Sequence, residues 1–145
     1  MQGFVYTNGD LVDTLNWDDL EDIQWFSVNI TETAIDELSR RMKIIAERSN
    51  AIGQTVVATL DDENLERASE ITRFGVENGY RLRYYRNLYR GMDAEYKTRL
   101  LMKYHDICDI LEEYIIKGYD VYTTFMIDTL IPGCQDESSP YPCGK

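Results

Sequence analysis

No run of roughly 18 apolar residues occurs in the chain, which excludes a membrane-spanning helix. The first 13 residues have neither a basic segment nor a long apolar core, so no secretory signal is expected. Cysteine is scarce and odd in number: Cys108, Cys134 and Cys143 do not make a disulfide framework. Cys134 and Cys143 flank a loop-like stretch containing Pro140 and Pro142 and are the only pair worth considering, and reduced thiols in a tail are the simpler reading. The expected location is therefore cytoplasmic, or the host cytoplasm for a virally encoded chain. No Gly-rich phosphate loop follows an apolar run, and no serine sits in a Gly-x-Ser-x-Gly elbow. Base is missing altogether from residues 1–39, which hold nine acids.

What is present fits one ordinary domain. The 145 residues are 43% hydrophobic and 28% charged, which excludes general disorder. The net charge is −11, the wrong sign for a general binder of nucleic acid or anionic membrane. Residues 40–105 carry nine acids and 13 bases, and residues 106–145 carry eight acids and two bases. Two acidic ends thus bracket a mildly basic middle. If those ends meet in space, one face carries most of the negative potential; the competing expectation is internal salt bridging.

Residues 4–7 and 10–13 flank Asn8-Gly9, a dipeptide suited to a type I′ turn, so a β-hairpin is expected. Asn16 is placed to cap a short acidic turn. Residues 25–30 read as a strand with Phe26, Val28 and Ile30 on one face. Ile35, Leu38, Met42 and Ile45 make the apolar stripe of a helix over about 32–49. Residues 55–60 form an apolar run without alternation, as in a strand covered on both faces. Asp61 or Asp62 should cap a helix reaching about Glu77, followed by a Tyr- and Arg-rich strand over 80–89. Residues 94–117 make the longest helix. Over 120–131 strand and helix periodicities compete, and β-branched and aromatic content favours strand.

This order predicts a single α/β domain over 1–131 with a tail over 132–145: a hairpin, then βαβαβα with a mixed sheet, in two or three layers. The alternative is an α+β ferredoxin-like sandwich with helices on one face.

Chemistry-bearing constellations are few. Carboxylates at strand ends, Glu32 and Asp61-Asp62-Glu63, are the donor type for Mg²⁺, yet the same residues are what helix caps require. His105 with Asp109 and Glu112 shares a polar helix stripe, a weak ligand set that more often is a solvated face. Cys108 reads as core filler. Asp61, Asp62, His105 and Asp109 are thus the metal candidates, and no cofactor is expected.

The segment 80–90 interleaves Arg81, Arg83, Arg86 and Arg90 with Tyr80, Tyr84, Tyr85 and Tyr89. Such a mix serves internal pairing with acids, a protein interface, or, less suitably at this net charge, a nucleic-acid platform.

The favoured function is a small acidic binding or inhibitor protein that occupies a basic, nucleic-acid-binding-type site of a protein partner. Small acidic mimics encoded by phages and mobile elements work by this logic. Its partner surface would combine Asp13, Asp18, Asp19, Glu21, Asp22 and Trp17 with Tyr84, Tyr85, Arg86 and Tyr89. Alternatives are an assembly subunit of an oligomer or virion, and a metal-dependent phosphoryl-transfer enzyme using the strand-end carboxylates.

Overall fold

A computed structural model describes residues 3–31, 33–86 and 93–126. Its strands are β1 (Gly3–Thr7), β2 (Ile23–Ile30), β3 (Gly53–Leu60), β4 (Arg81–Arg86) and β5 (Thr123–Met126). Its helices are α1 (Ile35–Arg48), α2 (Asp62–Glu66), α3 (Ala68–Glu77) and α4 (Ala94–Ile116), with a 3-10 turn over Trp17–Leu20. The strands form one sheet in the sequential order β1-β2-β3-β4-β5, and every neighbouring pair is parallel. The architecture is α/β, but the sheet is parallel throughout rather than mixed.

The expected hairpin does not form, because β1 runs parallel to β2. A type I′ turn needs positive φ at both central residues. Only Gly9 has it, at 78°, while among the described residues no non-glycine residue does. The chain is instead pinned onto α1: Arg41 donates to the carbonyl of Asn8 at 2.8 Å and pairs with Asp10 at 2.5 Å. From there it returns to the start of β2 over the helix layer, burying Val12 and packing Trp17 and Leu20 against the core.

Parallel strands in sequential order, joined by crossovers of one hand, place every connection on the same side of the sheet. The core has that form. Phe26, Val28, Ile30, Val56, Ala58, Leu60, Leu82 and Tyr84, all from one face of the pleat, pack with Leu38, Met42, Ile71, Leu100 and Ile107 of the helices. This is a two-layer arrangement. The ferredoxin-like alternative placed the helices correctly on one face, but its sheet is antiparallel.

Polar groups fasten the layers. Asn64, buried, donates to the carbonyls of Ile30 and Thr59, clamping the carboxyl ends of β2 and β3. Gln54 donates to the Met42 carbonyl at 3.0 Å, and the Tyr96 hydroxyl donates to the Leu60 carbonyl at 2.6 Å. The helix expected from 61 to 77 breaks at Arg67 into α2 and α3. The ambiguous segment 120–131 contributes a strand, β5, and residues 127–145, with Cys134 and Cys143, lie outside the described residues. Among the described residues, no helix is long and apolar enough to cross a membrane.

Candidate functional site: the helix-free face of the sheet

Parallel sheets normally have both faces covered. Here, among the described residues, the second face carries no helix. Alternation sends Phe4, Tyr6, Trp25, Ser27, Asn29, Thr55, Val57, Arg81, Arg83 and Tyr85 to it. Its side chains are aromatic, hydroxyl, amide, valine and arginine, and among the described residues of the strands no carboxylate faces this way.

Long side chains lie across this face and bridge strands that are not neighbours. Trp25 on β2 reaches over β3 to Arg81 on β4, whose guanidinium carbon sits 4.2 Å from the indole centroid. Two strand spacings, about 9.6 Å, are crossed this way. The crossing is possible because Trp25 pairs in register with Gly53. A Cβ at Gly53 would fall 2.3 Å from the indole carbons Cη2 and Cζ3, so only glycine leaves room for the ring. The indole Nε1 donates to Thr55 Oγ1 at 2.8 Å, which fixes the ring's direction.

The Arg81 guanidinium also lies 5.3 Å from the centroid of Tyr122, next to β5. Arg81, exposed at the start of β4, thus lies beside two rings. A second bridge spans three spacings: Arg83 donates to the Tyr6 hydroxyl on β1 at 2.6 Å. Burial raises the Tyr6 phenol above its ordinary pKa, against the opposing pull of Arg83, so its hydroxyl stays protonated at neutral pH. Beneath the bridges Ser27, Thr55 and Val57 are buried although no helix covers them.

Between the bridges and the amino-terminal ends of the strands lies an open cavity of about 570 Å³. Phe4, Trp25, Ile52, Arg81, Arg83 and Tyr122 are among its walls, and among the described residues no acidic residue lines it. Thr123, also in the lining, has a buried Oγ1 with no hydrogen-bond partner among the described residues.

The segment 80–90 thus divides by its period of two. Arg81, Arg83 and Tyr85 share the helix-free face, while Tyr84 is fully buried among the helices and cannot serve a partner surface. Thr72 uses its one hydroxyl proton on the Ala68 carbonyl, so the Tyr84 hydroxyl is the donor to Thr72 Oγ1 at 2.6 Å. Burial raises the Tyr84 phenol far above its usual value, with Thr72 opposing. Internal acid pairing does not describe Arg81 or Arg83: neither has an ion pair among the described residues. Arg86 is half-buried at the far end of β4, and Tyr89 lies outside the described residues.

The acidic residues separate into paired and unpaired groups. Asp13 pairs with Arg40 at 3.0 Å, and Arg40 and Arg41 also grip Glu37. Those contacts lower the Asp13 carboxyl, chiefly through Arg40, and hold Glu37 down at about 2. Asp18, Asp19, Glu21 and Asp22 are exposed, lie on and beside the 3-10 turn, and have no ion pair among the described residues. Asp19 accepts the Asn16 amide at 2.9 Å, although Asn16 makes no side-chain bond to the turn's backbone. Trp17 is half-buried 6.1 Å from Phe26.

Of the carboxy-terminal acids, Asp128, Asp136 and Glu137 lie outside the described residues. Sequential order puts β1 and β5 on opposite edges, about 19 Å apart by strand spacing.

The metal candidates scatter. Asp61 accepts the Asn64 backbone N–H at 2.8 Å as the cap of α2, and Asp62 pairs with Arg99 at 2.8 Å. His105 and Asp109 are exposed on α4. Among the described residues, no group of three His, Cys, Asp or Glu side chains is arranged to hold a metal ion. Comparison with family models, curated proteins and solved structures gave no match.

Proposed function

We propose that this chain is a small acidic binding protein that occupies a basic surface of a protein partner, with Asp18, Asp19, Glu21 and Asp22 as its leading contacts. One observation carries the reading. These four exposed carboxylates have no ion pair among the described residues, whereas the neighbouring Asp10, Asp13 and Glu37 are consumed by Arg40 and Arg41. Unpaired charge at a surface adds little to folding but steers association and makes its rate depend on salt.

The test is a variant carrying Asp18→Asn, Asp19→Asn, Glu21→Gln and Asp22→Asn. It should melt close to wild type, yet lose capture of a basic protein that wild type retains at low salt and releases at high salt. Equal retention by both, or a retained partner with a neutral or acidic surface, would overturn the reading. An assembly subunit is the second reading, and it draws on a different surface. Leu101, Met102, Ile115 and Ile116 stand exposed on α4, and concentration-dependent sedimentation would reveal self-association through them.

A further inference from the structure

We propose that the cavity on the helix-free face binds a small, flat, ring-containing ligand with a single oxyanion, phosphate or carboxylate, seated on Arg81. The charge is the first argument. In a chain of net charge −11, this cavity has two arginines in its wall and, among the described residues, no carboxylate. The two guanidinium charges therefore favour an anion there despite the acidic chain.

The second argument is the guanidinium of Arg81. It lies beside the rings of Trp25 and Tyr122, and among the described residues none of its guanidinium N–H groups makes a hydrogen bond. A planar fork meets an oxyanion in two parallel bonds, and the neighbouring rings limit the positions open to it.

Size and shape select the rest of the ligand. A volume of about 570 Å³ suits a nucleotide-sized molecule and lies within the usual range of small-ligand sites. Phe4, about half exposed at 48%, and Tyr122, at 59%, offer ring surface on either side of Arg81 for stacking. A longer polyanion is disfavoured. Gly3, in the cavity wall, abuts the backbone of Asp22, so a polyanion continuing past β1 leaves the arginines for an edge that carries a carboxylate.

Calorimetry and tryptophan emission on the intact chain test this with AMP, UMP, benzoate, adenosine, inorganic phosphate and a ten-residue oligothymidylate. AMP or UMP should saturate at one per chain, with adenosine and inorganic phosphate each at least about tenfold weaker. Saturation by benzoate alone would assign the oxyanion to a carboxylate and keep the proposal. Arg81→Gln should weaken binding about tenfold or more, and Arg81→Lys should not restore it, because an ammonium cannot replace the planar fork. Gly53→Ala, which moves Trp25 without altering charge, should weaken binding as well.

Three results would overturn the proposal. One is the absence of a saturable signal with AMP, UMP and benzoate. Another is unchanged affinity in an Arg81→Gln protein of native circular dichroism. The third is oligothymidylate binding more than about tenfold tighter than either mononucleotide, which would make the face a single-strand platform instead.

Discussion

Replacing Gly53 by alanine tests the architecture of the helix-free face through a single methyl group. The new Cβ would stand 2.3 Å from two carbons of the Trp25 indole, and the ring, not the backbone, must give way. Moving it breaks the Trp25 Nε1–Thr55 hydrogen bond, a loss of about 1 kcal/mol. It also separates the indole from Arg81, a further loss of about 0.5–1 kcal/mol for a partly exposed cation–π contact. Against this stands a gain of about 0.4–1 kcal/mol, because alanine restricts the unfolded chain and Gly53 does not occupy the positive-φ region. The net expectation is destabilisation of about 1 kcal/mol, read as a lower urea midpoint at unchanged slope, with altered tryptophan emission. In a Trp25→Ala background the obstruction is gone, so the same substitution should change sign and stabilise by about 0.4–1 kcal/mol. A Gly53→Ala protein as stable as wild type, or the same effect in both backgrounds, would refute the reasoning.

Tyr84→Phe removes the donor to Thr72 Oγ1 inside the core, so a loss of about 1–2 kcal/mol in urea denaturation is expected with no change at the helix-free face. Glu37, held at about 2 by Arg40 and Arg41 against its usual 4.5, contributes stability that is fully present above pH 4.5 and fades as pH falls towards 2. The difference between wild type and Glu37→Gln should therefore shrink from pH 7 to pH 2, and a constant difference would show that the contacts are not felt in solution. Asp61→Ala should cost about 1 kcal/mol through loss of the α2 cap. That melting shift should be identical with and without Mg²⁺, and a Mg²⁺-dependent difference would return Asp61 to the metal candidates.

Legibility in the sequence followed the range of the interactions that decide each feature. The stripe Ile35, Leu38, Met42, Ile45 located α1, the acids after Leu60 located a cap, and the β-branched character of 120–131 pointed to a strand. The hairpin failed because Asn8-Gly9 states only that the chain turns. Arg41, 33 positions away, decides where it goes by holding the Asn8 carbonyl. Of the face itself, the alternation that sets Arg81, Arg83 and Tyr85 apart from Tyr84 lies in the sequence, yet the partner surface read from that segment joined Tyr84 to Tyr85. Trp25 and Tyr122 were not readable, since nothing near either residue announces a guanidinium beside them.

The sequence by itself determined the local elements, one small domain, and an acidic chain with a basic middle, because periodicity, capping and composition act over a few residues. Strand direction and order were decided only by the tertiary structure. So was the cavity, because its wall at Thr55, its rings at Trp25 and Tyr122, and its cation at Arg81 come from four separate segments. A parallel sheet brings such segments together through crossovers whose hand and order no local pattern encodes.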